Sequence, residues 1–156
     1  YSEGTAVNQL DVVVLSALEV DTSFNVNVLT GNDGIIRGAI GGHPDTSFGA
    51  SVSIVIVPLT RGRIPCVVKQ VNTVVTPGKT VDVVVTDHGI AVNPLRKVLR
   101  QRMIDNGLPV YTIEELQKKA EQLVGVPDPV QYTDKVVGVV TYRDGSVIDL
   151  IYQVKD

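Results

Sequence analysis

The stretch that decides the fold is residues 11–20, DVVVLSALEV, in which only Asp, Ser and Glu interrupt the apolar side chains. So continuous a run predicts a strand buried on both faces, because a half-exposed strand would alternate. Comparable runs occupy 51–58, 64–71 and 81–86, and Val occurs 31 times in the 156 residues. Because β-branched side chains pack well on a pleated surface, the sequence predicts a core built on a sheet.

The segment after this run alternates. In 24–29, FNVNVL, the apolar residues fall on one face, and Asn25 and Asn27 fall on the other, which solvent would cover. Residues 30–34, TGNDG, have the composition of a tight turn. We therefore expect residues 10–38 to form a hairpin.

Helical signals begin at Asn93, predicted to cap a helix whose first residue is Pro94. A second helix is predicted from the capping box of Thr112 and Glu115, and it ends at Gly125. A final hairpin is expected over 135–142 and 146–154. Many strands, then two helices, then a hairpin indicate an α/β fold with a mixed, mostly buried sheet and a few flanking helices, in a single domain over 1–156.

Composition excludes several classes of protein. The net charge of −3 and pI of about 5.3 argue against nucleic acid or an anionic membrane as partner. No apolar run approaches the ~18 residues needed to span a bilayer. Cys66 is the one cysteine, so an internal disulfide is excluded, and we expect a small buried side chain. No metal-ligand spacing occurs, and no metal is expected. Since the chain begins with Tyr1, we expect it to be part of a longer polypeptide.

The loop predicted over 38–50 carries the clearest candidate chemistry. Gly41 and Gly42 leave two backbone N–H groups unshielded by a Cβ, and such segments bind anions or carbonyl oxygens. His43 and Asp45 follow at once, bringing a titratable ring and a carboxylate beside this bend. The alternative is a tight turn with a hydrogen-bonded structural histidine. Asp45 and Ser47 could also cap a short helical turn.

Three further sets of residues are candidates for binding a substrate. Asp87, His88 and Gly89 follow a predicted strand, and ligands often gather at the carboxyl ends of strands; the alternative is a capped turn. Glu19 closes an apolar run, so it either is partly buried or already faces water. Arg61 and Arg63 flank a glycine and could clamp a carboxylate or diphosphate, or form a charged turn.

Long segments resemble the C-terminal part of citrate lyase α subunits, which are similar to the CoA-transferase superfamily. The likeness runs through nearly the whole chain. It implies a CoA-transferase-like domain, the second of two, with the N-terminal domain absent from this sequence. The segments that carry it are LDVVVLSALEVDTSFNVNVLTG (10–31), GGHPDT (41–46), PLTRGRIPCVV (58–68), VVTPGKTVDVVVTDHGIAVNP (74–94) and VVGVVTYRDGSVIDLIYQVK (136–155).

The resemblance implies a citrate CoA-transferase that exchanges acetyl for citryl on a thioester carrier, in the cytoplasm. The thioester substrate would be CoA or the CoA-derived prosthetic group of an acyl carrier protein, and this chain would hold no tightly bound cofactor. The implied partners are the N-terminal domain of the same subunit, the lyase β subunit, the acyl carrier protein γ, citrate and acetate, in an oligomer. The Glu-Asn-Gly or Glu-x-Gly nucleophile of related transferases is missing from this sequence.

Within that implied function, the Gly41–Gly42 bend would hold the thioester oxygen. Arg61, Arg63 or His43 would neutralise citrate carboxylates, and the face of Asn25 and Asn27 or the edge formed by residues 87–89 would contact the carrier arm. Asp45 would belong to the substrate loop, and Glu19 would bind substrate or CoA. Other functions stay open: a domain that binds the arm without catalysis, a domain that docks subunits, or an acyl-CoA hydrolase.

Overall fold

The computed structural model describes residues 5–155. This part of the chain forms twelve strands and three α-helices. The strands are β1 (Leu10–Ser16), β2 (Glu19–Asp21), β3 (Val26–Asn27), β4 (Ala50–Ile56), β5 (Thr60–Arg61), β6 (Ile64–Pro65), β7 (Val67–Val68), β8 (Val83–Thr86), β9 (Gly89–Val92), β10 (Val110–Tyr111), β11 (Tyr132–Thr141) and β12 (Val147–Val154). The helices are α1 (His43–Gly49), α2 (Lys97–Asp105) and α3 (Ile113–Val124).

The main sheet has five strands in the order β1-β4-β8-β9-β10. β1, β4 and β8 run parallel, and β9 returns antiparallel to β8. The carboxyl ends of the three parallel strands therefore lie together at one end of the sheet, where Ser16 is paired with Ile56. The predicted mixed α/β fold class is confirmed.

Two expectations for the N-terminal third are wrong. Residues 10–38 do not form one hairpin, because β1 pairs with β4 and only the short strands β2 and β3 pair antiparallel. Nor is 11–20 a strand buried on both faces: β1 lies at the edge of the sheet, and Val12 and Val14 are 55% and 57% exposed. A continuous apolar run does not specify which strands will cover it.

The core confirms the strand-rich prediction. Val20, Val55, Val67 and Val84 are fully buried in one cluster, into which α3 inserts Leu116. A smaller cluster lies under the β11–β12 hairpin and contains Leu29, Val75, Val140 and Ile151. Cys66 is fully buried as predicted, and burial raises the pKa of its thiol. It lies between β6 and β7, so the strand predicted over 64–71 is two short strands.

The three helices differ in how well local signals placed them. α3 begins with the predicted capping box: Thr112 Oγ1 accepts from Glu115 N at 3.2 Å, and Thr112 N donates to Glu115 Oε2 at 2.7 Å. α2 begins at Lys97 rather than Pro94, because Asn93 folds into a turn in which its Oδ1 accepts from Leu95 N. The predicted loop over 38–50 contains α1.

Candidate functional site

His43 begins α1, and both of its ring nitrogens have partners. Nε2 lies 3.1 Å from the Ser16 carbonyl oxygen, and Nδ1 lies 2.7 Å from Thr76 Oγ1. A carbonyl only accepts, so Nε2 carries the proton, and Nδ1 of the neutral ring accepts from the Thr76 hydroxyl. Burial lowers the pKa of His43, although the bond to Ser16 opposes this. The arrangement fixes a neutral ring against the carboxyl end of β1.

The Gly41–Gly42 bend precedes α1 and is exposed. Gly41 has φ of +53°, which favours glycine, whereas Gly42 caps the helix with φ of −91° and ψ of 14°. A Cβ added at either position would meet no atom within 4 Å. The bend is therefore open to a ligand, as the proposed handling of a thioester oxygen requires.

Asp45 forms an ion pair with Arg143, and this contact points to a structural function and not to substrate binding. Its Oδ1 lies 3.4 Å from Nε of Arg143, which belongs to the turn between β11 and β12. The Arg143 side chain is 5% exposed, and its guanidinium carbon lies 4.2 Å from the centre of the Phe48 ring. Asp45 and Phe48 thus fasten α1 to the C-terminal hairpin. Neither Asp45 nor Ser47 caps the helix, because both lie inside it.

Glu19 is a buried carboxyl group at the start of β2, with 6% of its surface exposed. Its Oε1 accepts from Asn27 Nδ2 at 2.9 Å and from the backbone N of Asn72 at 2.7 Å. Burial raises the pKa of Glu19, the two hydrogen bonds oppose the shift, and the negative charge of Asp21 adds to it. The buried alternative of the two sequence interpretations is therefore the right one.

The two asparagines do not share a solvent face. Asn27 is fully buried: its amide donates to Glu19 and to Thr30, and its Oδ1 accepts from the backbone of Leu29 and Thr30. It orients Glu19 from within the fold. Asn25 donates to Asp21 Oδ2 and accepts from Gly78 N at 2.9 Å, so it holds a turn.

Arg61 and Arg63 lie at the β5–β6 turn, and both are exposed. Arg61 donates to the Ala17 carbonyl oxygen at 3.2 Å, which lays its side chain across the end of β1. Arg63 follows Gly62, whose φ of +62° closes the turn. The pair flanks a charged turn, and Arg61 alone lines a cavity.

Residues 87–89 form the tight turn between β8 and β9. Asp87 Oδ1 accepts from Leu59 N at 2.7 Å, and the half-exposed His88 ring lies 3.9 Å from the other Asp87 oxygen. Gly89 is buried with φ of +139°, and a Cβ there would come within 2.4 Å of the Tyr111 ring. This segment does lie where strands end, but its described contacts are those of a capped turn.

Two adjoining cavities are lined by three of the candidates, His43, Arg61 and Glu19. The His43 cavity, of about 390 Å³, includes Arg61, Ile40 and Leu18 in its wall. The Glu19 cavity, of about 310 Å³, shares Leu18 and Arg61 with it and adds Arg37. Ile40 and His43, which flank the diglycine bend in sequence, line the His43 cavity, although neither Gly41 nor Gly42 does; Arg61 and Leu18 connect that cavity with the one that Glu19 lines.

Sequence reasoning missed Arg37 and Thr76. Arg37 pairs with Asp33 across the predicted turn, and their four-residue spacing was the available signal. Nothing local connects Thr76 with His43. Across the described residues 5–155, no group of three His, Cys, Asp or Glu side chains could hold a metal ion. The described helices include none that is both long and apolar enough to cross a bilayer.

Comparison with known proteins gives one consistent result. A family model described as "Citrate lyase, alpha subunit" matches residues 1–154. The citrate lyase alpha chain of Klebsiella pneumoniae is 60% identical over 155 residues, and that of Escherichia coli is 58% identical. Each alignment covers 99% of this chain, which spans about 30% of the length of these relatives.

Solved structures agree on the fold. A Streptococcus mutans crystal structure, provisionally assigned as the alpha subunit of citrate lyase in complex with citrate, superposes with a TM-score of 0.97 at 59% identity. It is matched over 99% of this chain and 30% of that one. A RipA variant, with a TM-score of 0.52 and 22% identity over 75% of this chain and 29% of its own, shares the fold.

Proposed function

Because the chain belongs to the citrate lyase α-subunit family, we propose that it forms part of a citrate CoA-transferase that exchanges acetyl for citryl on a thioester carrier. Family membership over nearly the whole chain supports the reaction class. The open diglycine bend, whose two sequence neighbours Ile40 and His43 line the His43 cavity, is the observation that supports a direct part in the chemistry.

In the proposed reaction, a citrate carboxylate oxygen attacks the carbonyl carbon of the acetyl thioester. The carbon–sulfur bond breaks, the carrier leaves as thiolate, and an acetyl-citryl anhydride forms. The thiolate then attacks the citryl carbonyl, which yields citryl thioester and releases acetate. Each attack places negative charge on a carbonyl oxygen, and preorganised N–H donors stabilise such charge. The Gly41–Gly42 bend is the proposed source of these donors.

The side chains around the bend have separate proposed roles. Arg61, exposed and bordering both cavities, pairs with a citrate carboxylate. His43 positions the bend, because both ring nitrogens are already used in holding α1 against β1. Asp45 fastens α1 from the other side. The acyl carrier protein, the β subunit, the remaining domain of the subunit and a cytoplasmic location belong to the same proposal.

A second candidate function is binding of the carrier arm without catalysis. Two observations favour it: His43 has no ring nitrogen free among the described contacts, and Asp45 is paired with Arg143. In that case the chemistry would be carried by parts of the subunit other than this chain. The diglycine bend would then contact the arm only.

The deciding experiment is Gly42→Val in the complete subunit. Position 42 has an ordinary φ and open surroundings, so the substitution leaves the fold intact while its branched side chain blocks access to the backbone donors. Ala6→Val, which adds bulk at another exposed position, is the control. We expect the transferase rate to fall at least about tenfold with an unchanged melting temperature. A parallel loss of rate and stability, or no loss of rate, would contradict a catalytic bend.

A further inference from the structure

One carboxylate oxygen of Glu19 makes no hydrogen bond within the described part of the chain. Oε1 takes both hydrogen bonds, from Asn27 and from Asn72, and among residues 5–155 Oε2 has no partner. The residue is 6% exposed, and it lines both the Glu19 cavity and a second cavity of about 470 Å³, whose wall includes Asn72 and Tyr132. A carboxyl oxygen that has no protein partner in a residue lining a cavity is available to accept a hydrogen bond from a ligand bound there.

The remaining wall of the Glu19 cavity indicates which ligand fits. Arg61 and Arg37 bring two guanidinium groups, while Leu18, Ile64 and Pro65 form an apolar side. Arg37 also pairs with Asp33, which holds its guanidinium in place. Guanidinium groups bind carboxylates and phosphates bidentately, so the wall suits an anion, and the anion that the proposed reaction supplies is a carboxylic acid.

The group that meets Glu19 is not itself a carboxylate. An ionised Glu19 repels a carboxylate at contact distance, and the two arginines of the wall are the stronger partners for the ligand's carboxylates in either protonation state of Glu19. A hydroxyl group is uncharged, and it both donates and accepts. It therefore matches Oε2 whether Glu19 is ionised or protonated.

We propose that the Glu19 cavity binds a hydroxycarboxylate, with Glu19 Oε2 hydrogen-bonded to the hydroxyl group and with Arg61 and Arg37 paired with carboxylate groups. This rests on the proposed function, in which citrate is the acyl acceptor, and it makes Glu19 the residue that selects for the hydroxyl. Asn27 positions Glu19 by fixing Oε1. A site that hydrogen-bonds a substrate hydroxyl rejects the analogue lacking it, since the buried partner then stays unpaired.

Tricarballylate tests this directly, because it has the three carboxylates of citrate and lacks the hydroxyl. The dissociation constants of both acids are measured by calorimetry on the complete subunit. We expect citrate to bind about tenfold or more tightly, the loss typical of one hydrogen bond to a carboxyl group. Glu19→Met, similar in length and without a strong acceptor, should bring the ratio near one. Glu114→Ala, at an exposed acidic residue that lines neither of the two cavities bordered by Glu19, is the control and should keep it.

Arg61→Ala separates the two kinds of contact. It should weaken both acids by a similar factor and leave their ratio unchanged, since both carry the carboxylates. If Glu19→Met does not fold, carbon-13 NMR of the Glu19 carboxyl in the unaltered subunit replaces it. Citrate should shift that signal and tricarballylate should not.

The inference is overturned if the unaltered subunit binds both acids equally, if folded Glu19→Met keeps the preference, or if citrate leaves the Glu19 signal unmoved. Acyl-transfer assays test the proposed transferase function separately from the proposed Glu19 subsite. Transfer that uses both acids equally leaves the proposed function standing without this subsite. A Glu19-dependent preference in binding without any transfer leaves the subsite standing without the function.

Discussion

Thr76 Oγ1 and His43 Nδ1 lie 2.7 Å apart, and this contact joins the turn before β8 to the first residue of α1. The other ring nitrogen reaches Ser16 at the end of β1, so the ring connects three segments at the edge of the proposed site. The buried neutral imidazole thereby fixes the start of α1, directly after the diglycine bend.

Thr76→Val should destabilise the fold by about 1–2 kcal/mol, because it leaves a buried ring nitrogen without its donor at nearly constant volume. Urea unfolding measures the free energy, and nitrogen-15 NMR reports the tautomer of His43. Thr141→Val, at an exposed position of β11, is the control and should change the free energy of unfolding by less than about 0.5 kcal/mol. An equal effect of the two substitutions would show that the contact contributes nothing.

Glu19→Gln should stabilise the fold at neutral pH. Burial raises the pKa of Glu19, so the folded state binds its proton more tightly than the unfolded state, whose carboxyl has a pKa near 4.5. Stability from this group is complete below pH 4.5 and is lost as pH rises through the folded-state pKa. Glutamine keeps an oxygen for Asn27 and Asn72 and never ionises.

The free energy of unfolding measured from pH 4 to pH 8 should therefore diverge between the two proteins as pH rises, with the Gln variant the more stable. Curves that stay parallel over the whole range would mean that Glu19 titrates normally in the folded state.

The two glycines of the bend should respond differently to substitution. Gly41→Ala forces a side chain into a left-handed conformation, which costs about 1 kcal/mol, although no atom obstructs the Cβ. Gly42→Ala has open space and an ordinary φ, and the entropy that alanine removes from the unfolded chain offsets its poorer capping of α1, so the variant should be close to neutral. Thermal unfolding of both variants checks this. If Gly42→Ala is as destabilised as Gly41→Ala, the backbone strain is not specific to Gly41.

Arg143→Ala should destabilise the chain by about 2 kcal/mol, more than Asp45→Ala does. The buried guanidinium contacts Phe48 and donates to Asn8 Oδ1 at 2.7 Å in addition to pairing with Asp45. Asp45 is more exposed, so its removal should cost less than about 1 kcal/mol. A double-mutant cycle on the free energy of unfolding isolates their coupling. A cost for Asp45→Ala equal to that for Arg143→Ala would mean that the ion pair, and not the packing, joins α1 to the hairpin.

Local patterns predicted the elements whose causes are local. The Thr112–Glu115 capping box, the C-terminal hairpin and the burial of Cys66 each follow from a few neighbouring residues. The diglycine bend is exposed as the sequence suggested, and no described atom lies within 4 Å of a Cβ built on either glycine. Resemblance to a family supplied the reaction class, which no single pattern here carries.

The sequence by itself determined that Val-rich strands build the core and that helix α3 covers it, since periodicity, capping and apolar runs act over a few residues. Only the tertiary structure decided which strands pair, why Val12 and Val14 remain uncovered, and what each polar side chain contacts. Glu19 is oriented by Asn27 and Asn72, and Asp45 faces Arg143 and not the bend. These contacts join residues that are far apart in sequence. Their hydrogen bonds and ion pairs form only when packing has brought the segments together.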